Sequence, residues 1–310
     1  MSESQLHVPV LLAEVLEGLS INPAGIYIDC TFGRGGHSEQ ILKRLNSRGK
    51  LFLLDQDPSA IEVATAKYCN DQRVHVTHDS FANLQEVGRK HELTAKVDGI
   101  FFDLGVSSPQ LDIADRGFSF TQDGPLDMRM NTDTGITAAQ WLAMTPVEEI
   151  ANALKEYGEE KYARKIAGLM IEEQKQSPIT TTKRLSEIVS LCYPKNYQGI
   201  HPATRTFQAI RIVINEEMQA LKSGLDASFD LLMNRGRLVV ISFHSLEDRI
   251  VKRFIRDSKG EDLMPRLPVM PEQKDFLKSI GKLIRPSEAE VTRNPRSRSA
   301  RMRVAEKVVM

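Results

Sequence analysis

Two acidic residues and a group of glycines near the start of the chain have the types and spacing to bind an adenosine-containing cofactor. Asp29 ends an apolar segment, Gly33, Gly35 and Gly36 follow it, and Asp55 ends the next apolar segment. Glycines let the backbone pass close to a ligand. In an open α/β sheet, ligands bind beyond the carboxyl ends of the strands, and an acidic residue ending the second strand suits a ribose diol.

The glycine spacing narrows the class of cofactor. A dinucleotide site would show G-x-G-x-x-G and a P-loop would show G-x-x-x-x-G-K-[ST], and the sequence contains neither pattern. The charge of Asp29 before the turn would repel a pyrophosphate. An acidic residue followed, after three intervening residues, by Gly-x-Gly resembles the first motif of S-adenosylmethionine (SAM) methyltransferases. A tight strand-to-helix turn without a ligand is the alternative that this segment alone leaves open.

Alternating strand and helix patterns must position these residues. Strands are predicted at 26–30, 50–55, 74–77 and 97–104, with helices near 38–45, 58–68 and 81–90 between them. This alternation predicts parallel βαβ units with right-handed crossovers. A central strand at 236–243, a helix capped by Ser245, and a final strand pair at about 276–284 and 301–309 would complete the sheet.

The middle of the chain shows helical patterns instead. From Pro109 to about Gly199 no convincing strand pattern is present, and apolar residues recur at helical spacing. The segment 145–148 predicts a capping box with proline at the first helical position. We therefore predict a discontinuous domain of residues 1–108 and 200–310, interrupted by an all-helical insertion of residues 109–199.

The charge, the cysteines and the apolar segments of the chain limit the kinds of protein and partner that it can represent. The chain has 310 residues with 41 basic and 41 acidic side chains, so its net charge indicates no partner. From Lys282 onward, however, eight basic residues stand against three acidic ones, which suits a polyanion or, equally, a solvated terminal surface. Three scattered cysteines without metal-ligand spacing, and no apolar leader or span, predict a reduced cytoplasmic protein without a metal site.

Asp103 is the candidate catalytic residue. It ends the strand predicted beside the glycine-loop strand, and Ser107 and Ser108 follow it. Amino-group methyltransferases place an Asp/Asn/Ser-Pro-Pro-aromatic motif here, because oxygen acceptors on the N–H bonds direct the lone pair of an exocyclic amine towards the methyl group. The second proline and the aromatic residue are missing, so Phe118 or Phe120 would supply the stacking ring. A strand cap and type I turn explain the two serines equally well.

Other polar residues are candidates for contacts with a substrate. The helix predicted from Pro202 carries a polar stripe, although solvent exposure is the commoner reason for such a pattern. The loop 117–133 and the end of the central strand supply further candidates, which ordinary turns and helix caps would also explain. The full set of substrate candidates is Ser107, Ser108, Phe118, Asp127, Arg129, Arg205, Arg211, Asn215 and His244.

Six segments, 31–37, 103–112, 116–120, 124–130, 201–209 and 242–249, together carry a family resemblance. They are similar to the bacterial 16S rRNA (cytosine-N4)-methyltransferase family of the RsmH or MraW type, and the similarity runs essentially from end to end. The resemblance implies a Rossmann-like class I SAM-dependent methyltransferase sheet with an inserted helical subdomain for substrate recognition. It also implies SAM-dependent N4-methylation of a cytidine in the decoding region of 16S rRNA.

The same resemblance implies the binding residues and the partner. Carried over position by position, the contacts to SAM fall on Gly35, Gly36, His37, Asp55, Phe81, Asp103 and Gln110, to which the turn geometry adds Gly33. The implied partner is 16S rRNA within the assembled small ribosomal subunit, with no membrane, and a homodimer is left open. A methyltransferase acting on DNA or protein, or a SAM-binding ribosome-assembly factor without chemistry, are the alternatives, because fold does not fix function.

Overall fold

The computed structural model describes residues 9–258 and 275–310. The expectation about a leader therefore concerns, in part, residues 1–8, which lie outside the described residues. By their contacts the residues divide into two units. We call Met1–Gly105 with Gln219–Met310 the sheet unit, and Val106–Met218 the helical unit.

The sheet unit is built on a seven-stranded sheet with the order β3-β2-β1-β4-β5-β7-β6. The strands are β1 (Ile26–Asp29), β2 (Lys50–Asp55), β3 (Val74–His78), β4 (Val97–Asp103), β5 (Leu232–Ser242), β6 (Phe276–Ile284) and β7 (Arg301–Val308). Neighbours from β3 to β5 pair in parallel, whereas β7 pairs antiparallel with both β5 and β6. This order confirms the predicted Rossmann-like α/β fold and the final strand pair.

The helices are α1 (Leu12–Leu19), α2 (Gly36–Leu42), α3 (Pro58–Tyr68), α4 (Leu84–Lys90), α5 (Ser108–Asp112), α6 (Ala138–Met144), α7 (Val147–Gly158), α8 (Ala163–Gln176), α9 (Thr182–Leu191), α10 (Ala203–Ile214), α11 (Glu217–Leu231), α12 (Ser245–Asp257) and α13 (Glu288–Arg293). The helices predicted near 38–45, 58–68 and 81–90 are present within a few residues of these bounds, whereas α1, α5 and α13 were not predicted. Across residues 9–258 and 275–310, no helix is both long enough and apolar enough to cross a membrane.

The central strands are apolar on both faces, because hydrophobic cores lie on both sides of the sheet. In β4, Ile100 and Phe102 pack into one core while Phe101, between them, packs into the other. Each of these side chains is fully buried. Strand order reverses between β1 and β4, and ligands of such sheets bind at the carboxyl ends of the strands flanking this point. Asp29 and Asp103 end these two strands.

The helical unit has a hydrophobic core of its own, supplied by α6 to α10 and the loop before α6. Leu154, Ile166 and Ile188 are fully buried members from three successive helices. Within the described part of this unit, strand pairing is limited to an isolated bridge between Pro125 and Thr181. The expected absence of strands between 109 and 199 therefore holds, apart from this bridge.

Three predicted boundaries were wrong. The unit boundary falls at Val106 and Met218 rather than at 109 and 199, because α10 packs against α7 of the helical unit. Pro146 is the N-cap of α7 and not its first residue, and no side chain caps that helix. His244, rather than Ser245, is the N-cap of α12, since Phe243 and His244 donate their N–H groups to the Glu247 carboxylate.

Candidate active site

The turn from β1 to α2 depends on its glycines. Gly33 and Gly35 have φ values of 56° and 75°, in the left-handed region that other residues rarely adopt. Gly35 is also the N-cap of α2, and a Cβ there would lie 2.5 Å from the Phe32 ring. Only glycine fits at this position without a shift of the backbone or the ring.

The Asp55 carboxylate lies against this turn. One oxygen accepts the Gly33 N–H at 2.7 Å and the other accepts the Asp57 N–H at 2.9 Å. Burial raises the pKa of Asp55 to about 6, and the charge of Asp57 adds to the rise. A carboxylate offers about four acceptor positions, and the N–H groups of Gly33, Asp57 and Gln56 use three of them, which leaves one for a ribose hydroxyl. The structure thus brings Gly33 and Asp55 together at the position predicted for a ribose.

Asp29 orients the turn through bonds within the chain. Its carboxylate accepts the Ser38 hydroxyl at 2.5 Å and the Thr31 N–H at 3.1 Å. Burial raises the pKa of Asp29 to about 6. Because both oxygens already bind the turn and the start of α2, Asp29 holds the loop in shape.

Asp103 differs from Asp29 in keeping one oxygen unbonded. Its N–H donates to the Thr31 hydroxyl at 2.7 Å, which ties the end of β4 to the end of β1. Its Oδ1 atom is buried and has no hydrogen-bond partner among the described residues. Burial raises the pKa of Asp103 to about 8, with the charges of Asp29 and Glu247 contributing. A buried polar atom without a partner is costly, which points to a ligand as its partner.

His37 lies beside Asp103 with a defined tautomer. Its Nε2 atom is 2.9 Å from the Val10 carbonyl oxygen, which can only accept, so Nε2 carries the proton. Its Nδ1 atom therefore faces the Asp103 Oδ2 atom, at 3.6 Å. This separation exceeds hydrogen-bond length, so the two groups are neighbours without a bond between these atoms.

Phe81 follows β3 at the same edge of the sheet. The Asp79 N–H donates to the Asp55 carbonyl oxygen at 3.0 Å, which fixes the start of the segment that carries Phe81. The Phe81 ring is half-buried and packs edge-to-face on Phe102 with 5.4 Å between centroids. An apolar ring in this place suits the predicted contact with adenine, which stays a prediction.

His244 serves the fold of α12. Its Nδ1 atom is 3.5 Å from the Glu247 N–H, and its Nε2 atom is 3.2 Å from the Glu247 Oε1 atom in a geometry that makes no hydrogen bond. The Glu247 carboxylate is 2% exposed and caps the helix in return. The predicted contact of His244 with substrate stays a prediction, and helix capping already accounts for its position.

In the helical unit, the residues after Asp103 form a capping box. Ser107 is the N-cap of α5, and its N–H donates to the Gln110 Oε1 atom at 2.9 Å. Gln110 is buried, and Ser108 is the first residue of the helix. The alternative of a cap and turn thus describes the two serines, while the role implied for Gln110 in binding SAM stays a prediction.

Two further candidates sit in well-bonded positions. Asp127 and Arg129 form a two-bond ion pair, with both N–O distances at 2.8 Å. Burial raises the pKa of Asp127, but the bonds from Arg129 outweigh it and the net shift is downward.

Phe118 is 6% exposed and packs in the core of the helical unit. This burial argues against a stacking role for the Phe118 ring.

The polar stripe of α10 is also bonded to its own chain. Asn215 accepts the Met130 N–H at 2.7 Å and donates to the Met128 carbonyl at 2.8 Å. Arg211 makes a two-bond ion pair with Glu217. Arg205 donates to the Glu159 carbonyl at 3.0 Å. Neither of the explanations considered from sequence, solvent exposure or a substrate groove, describes Asn215 and Arg211, which anchor a loop and a helix end.

Thr31, Ser38 and Glu247 belong to the site although the sequence did not single them out. Thr31 and Ser38 hold Asp103 and Asp29, and the charge of Glu247 affects the pKa of Asp103. The small hydroxyl residues flanking the glycine turn were an available signal, because strand-end carboxylates need local donors. From sequence, Glu247 could be assigned only to the cap of the helix after the central strand, and nothing local showed that its charge acts on Asp103.

The basic segment after Lys282 is not a free tail. Arg303 donates to both oxygens of Asp248, and Arg301 lies 3.5 Å from the same carboxylate. Lys307 is buried and donates to the Phe229 carbonyl at 2.7 Å. These cations therefore hold β7 in the sheet unit, whereas Arg298 is exposed.

The chain is similar to known proteins along nearly its whole length. A family model described as the MraW methylase family matches residues 4–308. Proteins named ribosomal RNA small subunit methyltransferase H from Idiomarina loihiensis and Pseudoalteromonas atlantica are each 51% identical over 312 residues, covering 99% of this chain and 99% and 100% of theirs. The protein of the same name from Coxiella burnetii is 50% identical, covering 98% of this chain and 99% of its own.

Proposed function

The chain belongs to the MraW methylase family, and from this premise we propose that it methylates N4 of a cytidine in the decoding region of 16S rRNA. Its cofactor is S-adenosylmethionine, as predicted. The substrate we propose is the rRNA within the assembled small ribosomal subunit, encountered in the cytoplasm. The observation that carries the chemistry is the buried, unbonded Oδ1 atom of Asp103 at the carboxyl end of β4.

Residues around the glycine turn would hold the cofactor. Asp55 keeps an acceptor position for a ribose hydroxyl, and Gly33, Gly35 and Gly36 keep the backbone close. Phe81 would contact the adenine, while His37 and Gln110 are contacts implied by the family resemblance alone. Bound in this way, the cofactor would supply an electrophilic methyl group.

Asp103 would orient the amine that receives the methyl group. The lone pair of the cytosine amine is delocalised into the ring, so the amine is a poor nucleophile. An acceptor oxygen on one N–H bond would direct the lone pair for in-line attack. The backbone N–H of Asp103 donates to the Thr31 hydroxyl, which fixes the position of the residue. An oxygen fixed in this way accepts whether or not the carboxyl group carries a proton, and it needs no reorganisation during the reaction.

Two alternatives make different predictions. A methyltransferase of DNA or protein would share the cofactor site but would not label small subunits. A SAM-binding assembly factor would bind the cofactor without transferring methyl groups. The names of the three relatives favour rRNA over both.

The test is transfer of labelled methyl groups to small subunits from cells that lack this protein. We expect one cytidine of 16S rRNA to gain the label at N4, as mapped by mass spectrometry of the digested RNA. The Asp103→Asn variant is the matched control, because it keeps the shape of the side chain. Label on DNA or protein, or cofactor binding without transfer, would contradict the proposal.

A further inference from the structure

The loop between α9 and α10 forms an open cavity of about 670 Å³ within the helical unit. This volume lies within the range of roughly 300–1,000 Å³ typical of ligand sites. Its lining includes Tyr193, Lys195, Tyr197 and His201. None of the roles discussed above uses these residues.

Aromatic rings form a fixed platform beside this cavity. Tyr193 makes edge-to-face contacts with Tyr162 and Tyr197, at 4.9 and 4.8 Å between centroids. The Tyr193 hydroxyl donates to the Glu160 carboxylate at 2.6 Å, which locks the central ring. Tyr197, at the outer end, is 40% exposed. The exposed ring of Tyr197 therefore rests on Tyr193, whose own position is fixed by Glu160 and Tyr162.

A second flat ring lines the same cavity. The His201 ring stacks on Phe120, with 4.4 Å between centroids and an angle of 22°. His201 remains exposed although Phe120 covers one face. Its Nδ1 atom accepts the Ala203 N–H at 3.2 Å, so in the neutral ring Nε2 carries a proton and can donate to a ligand.

The charges of this region suit an anion. None of the described residues that line the cavity is acidic, and Lys195 is basic. Lys195 lines the cavity and is exposed. The nearby Glu160 is 3% exposed, and its oxygens already accept the Tyr193 hydroxyl and the Tyr162 N–H. Buried beneath the rings, it supports them.

We propose that this cavity binds an unpaired nucleotide of the RNA substrate, with the base stacked on the exposed ring of Tyr197 and a phosphate near Lys195. Proteins recognise unpaired RNA by stacking bases on aromatic side chains and placing cations along the backbone. The inference rests on the proposed function, because it assigns a second contact for the same RNA. It fits RNA better than a peptide, since exposed flat rings beside an exposed cation match a base and its phosphate.

The test compares Tyr197→Ala with Tyr197→Phe in the full-length chain. Loss of one stacked base is expected to raise the KM for small subunits by roughly 5- to 150-fold, with kcat and the affinity for SAM unchanged. Phenylalanine keeps the ring and should restore most of the affinity. Lys195→Gln should lower the slope of log affinity against log salt by about 0.7, whereas Lys175→Gln on α8, also exposed, should not.

Ultraviolet crosslinking supplies a direct readout. In the complex with small subunits, we expect the peptide containing Tyr197 to crosslink to rRNA. A KM within twofold of the unaltered chain for Tyr197→Ala, or crosslinks to ribosomal protein in place of rRNA, would overturn the inference. Failure of the proposed function would look different, because the unaltered chain would then transfer no methyl group to small subunits.

Discussion

The sheet unit and the helical unit treat their polar residues differently. At the strand ends of the sheet unit, Asp55 and Asp103 keep acceptor capacity that the chain itself does not use. In the helical unit, by contrast, the Asn215 side chain is bonded to the backbone of a loop, and the Arg211 side chain is bonded to the Glu217 carboxylate. A carboxylate at a strand end points to a ligand where it keeps an unbonded oxygen, as Asp103 does and Asp29 does not. The polar stripe on α10 can likewise be interpreted only from the partners of its side chains.

Replacing Asp103 tests this contrast with the largest expected effect. Asp103→Asn should lower kcat for methyl transfer by roughly a hundredfold to a thousandfold, the usual cost of losing one fixed electrostatic group. Single-turnover transfer to small subunits measures it. Asp257→Asn, at the exposed end of α12, should leave the rate unchanged. An Asp103→Asn rate near that of the unaltered chain would remove the residue from the chemistry.

Asp55 should affect binding rather than chemistry. Asp55→Ala removes a charged acceptor worth about 1.5–3 kcal/mol, so the Kd for SAM should rise roughly 10- to 150-fold. Titration calorimetry measures the affinity. Asp71→Ala is the control, because Asp71 pairs with Arg73 near the start of β3. Equal affinities of Asp55→Ala and the unaltered chain would contradict the predicted contact with ribose.

Asn215 should affect stability rather than RNA binding. Asn215→Ala leaves the Met130 N–H and the Met128 carbonyl without their partner, so we expect the free energy of unfolding to fall by about 1–3 kcal/mol. Chemical denaturation measures the loss, with Gln208→Ala, which removes one bond from the same helix, as the comparison. An unchanged stability together with weaker RNA binding would revive the predicted role in substrate binding.

Much of the sheet was predictable because its signals are local. The strand 50–55 was predicted at its observed bounds and β1 and β4 within one residue, since buried parallel strands are continuous apolar runs that end in a polar residue. By contrast, β5 begins at Leu232, four residues before the prediction. Asp55 and Asp103 were identifiable for the same reason, as the acidic residues that end such runs.

Other features depend on contacts that are distant in sequence. The partners of Asn215 lie 85 and 87 residues away, so no local pattern shows that its side chain is occupied. The helix α10 belongs to the helical unit because it packs against α7. The proton on His37 is fixed by the Val10 carbonyl, 27 residues earlier. Only the folded chain supplies these partners.

The raised pKa of Asp103 predicts a pH dependence of stability. The folded pKa is about 8 against an ordinary value of 3.8, so between these values the folded chain holds a proton that the unfolded chain has released. Stability should therefore fall as pH rises through this window. Asp103→Asn does not titrate, so its stability relative to the unaltered chain should improve over the same range. Denaturation at several pH values tests this, and parallel curves for the two chains would contradict the raised pKa.

The smallest expected effect concerns the basic segment of the sheet unit. Arg296 and Arg298 are both exposed, in the short 3-10 helix Pro295–Ser299 before β7. Arg303, in β7, is bonded to Asp248. Neutralising Arg296 and Arg298 together should weaken binding to small subunits a few-fold and lower the salt slope by about 0.7 per phosphate contact. Arg303→Gln should instead reduce stability, because it leaves the partly buried Asp248 with a poorer partner.

Arg253→Gln, an exposed change on α12, is the matched control for this pair. A salt slope that stays the same when Arg296 and Arg298 are neutralised would make the whole segment structural. The cations that bind the RNA backbone would then have to be sought elsewhere, either among the other exposed cations of the sheet unit or in the helical unit. That outcome would sharpen the comparison, since this segment would join Asn215 and Arg211 as polar residues that serve the fold.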